Sequence, residues 1–130
     1  MNAEKRIVLV IDMQNDFITG TLGTAEARRI VPAVAARIEA ERAAGARIID
    51  KPTFGCIALP ELLRPHVGPE TEFLLMGLCT DICVVSNALL LRAYFPGNHI
   101  FIAPDCCAGV TPESHAAALT TMKMWQIEQA

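Results

Sequence analysis

Two spacings of apolar residues alternate along this chain. Arg6 to Ile11 is a short β-branched run, Phe73 to Met76 is an unbroken apolar run bounded by Gly77, and His99 to Ala103 is a third. Apolar runs of this length without polar alternation predict strands buried on both faces of a parallel sheet. Arg47 to Ile49 begins another strand. Between these runs the spacing changes to three and four. Val31, Val34, Ala35 and Ile38 form one stripe, with Arg37, Glu39, Glu41 and Arg42 on the outer face. Cys83, Val84, Asn87, Ala88 and Leu91 form a second, on a helix expected from Asp81 to about Tyr94 that is apolar nearly all round. Ala116, Leu119 and Met122 form a third.

Punctuation supports these segments. Thr24-Ala25-Glu26 opens a short helical turn, Pro32 suits the first turn of a longer helix, and Gly45 ends it. Ala58 to Arg64, with Pro60 in its first turn, predicts a short helix. Pro96-Gly97-Asn98 closes the apolar helix, and Thr111-Pro112-Glu113 provides the N-cap and first turn of the last one. The order β-α-β-(α)-β-α-β-α predicts an α/β fold: a doubly wound, mainly parallel sheet with helices on both faces.

At 130 residues and 52% hydrophobic, the chain is sized for one domain with a substantial core, residues 1–130 throughout. A net charge of −3 without a basic run argues against nucleic acid as a partner. No apolar run reaches the roughly 20 residues that span a bilayer, and Met1 to Arg6 is too charged for a signal peptide. The expected location is therefore cytoplasmic. Five cysteines, at 56, 79, 83, 106 and 107, make no C-x-x-C pair, and His66, His99 and His115 are scattered. These cysteines read as reduced thiols, with no metal site among the visible residues.

The candidate chemistry centres on Cys83. It falls in the first turn of a helix that begins at the carboxyl end of a strand, where α/β sheets place ligands. Unpaired backbone N–H groups and the helix dipole there favour a thiolate, whereas an unassisted cysteine, with a pKa of about 8.5, is mostly protonated. The plain alternative is a small buried hydrophobe. Asp12 follows the first strand, on the same rim if the strands are parallel neighbours, and Lys51 precedes the short helix. A thiol nucleophile needs a group to take up its proton and return it to the leaving group. A carboxylate of pKa about 4 is a weak base for that purpose, which burial improves. A lysine nearby stabilises the anionic pair.

V-I-D-M-Q-N-D-F at 10 to 17, K-P-T-F at 51 to 54 and G-L-C-T-D-I-C-V at 77 to 84 resemble the isochorismatase-like cysteine hydrolases, which include nicotinamidases and N-carbamoylsarcosine amidases. The resemblance covers most of the chain. It implies a Rossmann-like three-layer α/β/α sandwich and a catalytic triad of Asp12, Lys51 and Cys83. It also implies a non-proline cis peptide at Leu78–Cys79, an oxyanion hole from the backbone N–H groups of Cys79 and Cys83, and Phe17 in the substrate pocket. The implied reaction is hydrolysis of a small amide through a thioester, with no cofactor required by the visible residues. Relatives that cleave isochorismate lack the cysteine. The family's habit, together with the apolar helix, implies a homo-oligomer, a dimer or tetramer.

The match breaks at 49 to 51. The family pattern carries a long segment there, with an Asp-x-His-type metal site and pocket aromatics, before the lysine. Here one residue separates Ile49 from Lys51. Parallel strands need a dozen or more residues to cross over. The expectation is therefore a missing segment near Ile49–Lys51, and a divalent metal, if the family's site is kept, would belong to it. Two further readings stand beside the amidase: a catalytically lost family member acting as a binding or scaffold protein, and a redox protein using Cys79/Cys83 or Cys106/Cys107.

Overall fold

In the computed structural model, the described residues are 4–11, 13, 24–51 and 58–130. Five strands form one sheet: β1 (Arg6–Ile11), β2 (Arg47–Lys51), β3 (Glu72–Leu78), β4 (Ile100–Ala108) and β5 (Glu128–Gln129). Every pairing is parallel, in the order β2-β1-β3-β4-β5. The helices are α1 (Ala25–Ala43), α2 (Leu59–Leu63), α3 (Val85–Tyr94) and α4 (Pro112–Met124). Central strands β1 and β3 are almost wholly buried, as their unbroken apolar runs require.

The core divides by strand parity. Ile7, Leu9, Phe73, Leu75, Ile100 and Ile102 face α2, α3 and α4, joined by Leu63, Ala88, Leu91 and Met122. Val8, Val10, Leu74, Met76 and Ala103 face the other way, against Ala27, Ile30 and Val34 of α1. Helix, sheet and helix make three layers, the sandwich expected.

Several local expectations change. The Thr24 turn and the Pro32 helix are one helix: Thr24 Oγ1 accepts from Ala27 N at 2.9 Å, and Pro32 lies inside α1 on its exposed side. The buried stripe is Ala27, Ile30, Val34 and Glu41, and Ala35 is exposed. On α4, Ala118 and Met122 are buried and Ala116 is exposed. α3 buries one side, Asn87, Ala88 and Leu91, and leaves Tyr94 exposed.

β4 extends beyond the expected end at Ala103, through Cys106 and Cys107 to Ala108. Leu75 pairs with Ile102 but Gly77 pairs with Cys107, so the extra residues of β4 bulge opposite Met76. Pro104, which has no N–H for the ladder, sits in that bulge.

The expected pair of strands around Ile49 and Lys51 is also corrected. Arg47–Lys51 is one strand, each residue in register with Ile7–Ile11, so no crossover falls between Ile49 and Lys51. The crossover lies after Lys51 and passes through α2 to β3.

Candidate active site

Three neighbouring strands end level with one another. Ile11 pairs with Lys51 on one side and with Gly77 on the other. The chain leaves β1 after Ile11, leaves β2 at Lys51, and leaves β3 one residue beyond Gly77. Asp12 and Phe17 lie outside the described residues, and Lys51 is described by its backbone alone. The level strand ends put the backbone positions next to Asp12 and the start of the Cys79–Cys83 segment on one rim of the sheet.

At the end of β3 the Leu78–Cys79 peptide is cis, as the resemblance implies. Cys79 is extended and partly buried, and the backbone then turns at once into helix. The carbonyl of Cys79 accepts from Ile82 N at 3.1 Å and from Val84 N at 3.0 Å. Thr80–Val84 is a π turn, closed where Val85 N donates to the Thr80 carbonyl five residues back. Such widened turns are frequent at functional sites. The Cys83 carbonyl accepts from two side chains, Asn87 Nδ2 at 2.7 Å and Ser86 Oγ at 3.2 Å. Asn87 is fully buried, and this bond meets part of the demand of its buried amide.

Cys83 itself is 2% exposed and packs in the core layer beneath α3 and α4. Thr80 and Asp81 are good N-cap types, but neither side chain caps this helix. Both reach instead to the β4–α4 connection. Thr80, fully buried, holds its Oγ1 2.7 Å from His115 Nδ1. The Asp81 carboxylate accepts from Val110 N at 3.2 Å and 3.3 Å. Burial pushes the His115 imidazole below its ordinary pKa, opposed by the charge of Asp81. Sequence reasoning missed His115, because its partner lies 35 residues away and no local spacing links the two.

The other cysteines do not form a second centre. Cys79, Cys83, Cys106 and Cys107 are not in disulfides, and Cys56 lies outside the described residues. Cys106 faces the α1 layer and Cys107 the opposite layer. Burial raises the Cys106 thiol to about 11, helped by the charge of Asp105, and raises Cys107 to about 12. Among the described residues no three of His, Cys, Asp and Glu converge to hold a metal ion, and no helix is long and apolar enough to cross a membrane.

The same fold is found in solved structures. The pyrazinamidase of Pyrococcus horikoshii, in complex with zinc, matches with a TM-score of 0.79 at 20% identity, over 97% of this chain and 98% of that one. The nicotinamidase of Staphylococcus aureus matches with a TM-score of 0.74 at 25% identity, over 99% and 98%. The N-carbamoylsarcosine amidase of Thermoplasma acidophilum matches with a TM-score of 0.73 at 18% identity, over 95% and 94%. No curated protein sequence matches. The model of the isochorismatase domain matches residues 41–129, from the end of α1 through β5 and so including the whole Cys79–Cys83 turn. Matched by that domain over well more than half its length, the chain belongs to the isochorismatase family.

Proposed function

We propose that this chain is a cysteine amidohydrolase that cleaves the C–N bond of a small, non-peptide amide through a thioester. The observation that carries the reading is the turn after β3. The segment that leaves β3 leads within one π turn to a thiol, on the rim where β1 and β2 also end.

In this reading Cys83 is the nucleophile, and its sulfur attacks the amide carbonyl. Asp12 takes the thiol proton and passes it to the departing ammonia or amine as the C–N bond breaks. Water then attacks the thioester carbonyl, with Asp12 as its base, and the carboxylic acid leaves as the thiol re-forms. Lys51 stabilises the charged pair, and Phe17 lines the substrate. Backbone N–H groups of Cys79 and Cys83 receive the developing oxyanion, where preorganised donors are worth most. Small aromatic amides and carbamoyl compounds are the substrate classes to try, because the related structures are a nicotinamidase, a pyrazinamidase and an N-carbamoylsarcosine amidase. The zinc of the Pyrococcus protein has no matching ligand set among the described residues. By the resemblance a metal site would lie in a segment ahead of the lysine, and Arg47–Lys51 runs there as one continuous strand. A homo-oligomer in the cytoplasm completes the proposal.

The second reading, a binding or scaffold protein on the same fold, is favoured by the burial of Cys83 at 2% exposure. One experiment separates the two. Ammonia release is measured over nicotinamide, pyrazinamide, carbamoyl compounds and ureido acids, with Cys83→Ala as control. Turnover that Cys83→Ala abolishes supports the amidase. No release from any of them, with Cys83 inert to iodoacetamide at mildly acidic pH, supports the scaffold.

A further inference from the structure

We propose that His115 is a positioning residue for the nucleophile turn, acting through Thr80; this rests on the hydrolase reading above. The segment between the cis peptide and Cys83 is held from outside at two successive residues. Thr80 bonds to the imidazole of His115, and Asp81 to the backbone of Val110. Both anchors lie where β4 passes into α4: Val110 in the connection and His115 in the first turns of the helix.

That connection is itself tightly built. Thr111 Oγ1 accepts from Ser114 N at 3.1 Å while Ser114 Oγ accepts from Thr111 N at 3.1 Å, a reciprocal cap on α4. His115 N donates to the Thr111 carbonyl at 3.0 Å. Gly109 lies so close that a Cβ there would stand 2.9 Å from both His115 N and His115 Cβ. The imidazole is therefore presented from a fixed helical turn, and Thr80, without solvent access, meets it there. Moving Thr80 moves its neighbour Cys79, whose N–H is a proposed oxyanion donor and whose carbonyl fixes Ile82 and Val84 on either side of Cys83. A displacement of about 1 Å at such a point can cost about 100-fold in rate.

The test is steady-state kinetics of wild type, His115→Ala, His115→Asn, Thr80→Val and the His115→Ala/Thr80→Val pair, with melting curves and the rate of Cys83 alkylation by iodoacetamide. Asparagine keeps a hydrogen-bonding atom close to the place of Nδ1. We expect kcat to fall about 10- to 100-fold in His115→Ala with KM little changed, most of it regained in His115→Asn, and no further loss in the pair. An unchanged kcat in folded His115→Ala overturns the proposal. So does an equal loss in His115→Asn, or additive losses in the pair. If wild type hydrolyses no amide, the hydrolase reading fails by itself. Alkylation then decides the role of His115: a Cys83 rate changed in His115→Ala and restored in His115→Asn supports it, and an unchanged rate overturns it.

Discussion

Gly77 stands opposite Ile11 across β3 and β1, so close to its backbone that no side chain fits between them. Its φ of +124° is also one that L-residues rarely adopt. Two demands meet at one position, and both concern the rim of the sheet. Ile11 is the last residue of β1, and Gly77 is two residues before the Cys79–Cys83 segment. The close approach fixes how two neighbouring strands deliver their chain ends to the candidate site.

Gly77→Ala is therefore expected to be severely destabilising. The Cβ would collide with the Ile11 carbonyl, and the left-handed backbone adds its own penalty, together at least about 3 kcal/mol. Urea denaturation of the purified variant measures this. A midpoint equal to that of wild type would show that β1 yields easily and that the approach fixes nothing.

Glu41 places a carboxylate almost out of reach of water on the inner side of α1. Arg6 Nη1 meets it at 2.6 Å and also bridges to Glu72 through Nη2 at 3.1 Å. Desolvation works against the Arg6 guanidinium, but its bonds to Glu41 and Glu72 more than offset this and hold its pKa up. Removing the cation leaves Glu41, among the described residues, with Arg37, whose Nε lies at 3.8 Å. Arg6→Leu should cost about 2 kcal/mol, and Arg6→Leu with Glu41→Leu should regain much of it, since an apolar pair replaces a buried ionic one with little net loss. Thermal melts of the single and double variants check the order. A double variant less stable than the single would reverse it.

How much of this could be read from the sequence follows from the range of each cause. β1 and β3 were legible because strands buried on both faces need unbroken apolar runs, and Thr111-Pro112 was legible because a helix cap is local. Pro32 misled because proline is commoner in a first turn than inside a helix; here Thr24 had already capped α1 two turns earlier. The second half of β4 was hidden by Pro104 and Asp105, which look like loop until the bulge against β3 accommodates them. Cys83 stood out because strand spacing gives way to helical spacing just before it. The Thr80–His115 contact left no trace, since it depends on two connections meeting in space. For the proposed triad, the sequence motif is the source for Asp12 and the side chain of Lys51.

Cys106 and Cys107 are neighbours in sequence but face opposite layers of the sandwich, each with its thiol pushed up by burial, to about 11 and about 12. A thiol at about 11 is only about one part in a thousand thiolate at pH 8. Native protein treated with iodoacetamide at pH 8 should leave both residues unmodified, with peptide mass spectrometry showing their labelling only after denaturation. Rapid modification of either in the folded protein would revive a redox role for the pair.

His115 makes the fold sensitive to mild acid in a direction its environment dictates. Burial is the larger influence and lowers its pKa below the ordinary value of 6.5; the Asp81 carboxylate opposes this without cancelling it. The unfolded chain therefore binds a proton at this position more readily than the folded one. Stability contributed here is complete well above pH 6.5 and declines as pH falls through that value, until the folded-state imidazole protonates as well. Cys107, Glu26 and Arg29 line the same cavity of about 180 Å³ as His115. Carboxylates elsewhere titrate in acid too, and a variant isolates the one group. Urea midpoints at pH 7.5 and pH 5.5 should fall less for His115→Asn than for wild type, because asparagine has no proton to gain. An equal fall in both proteins would mean that His115 binds its proton as easily folded as unfolded.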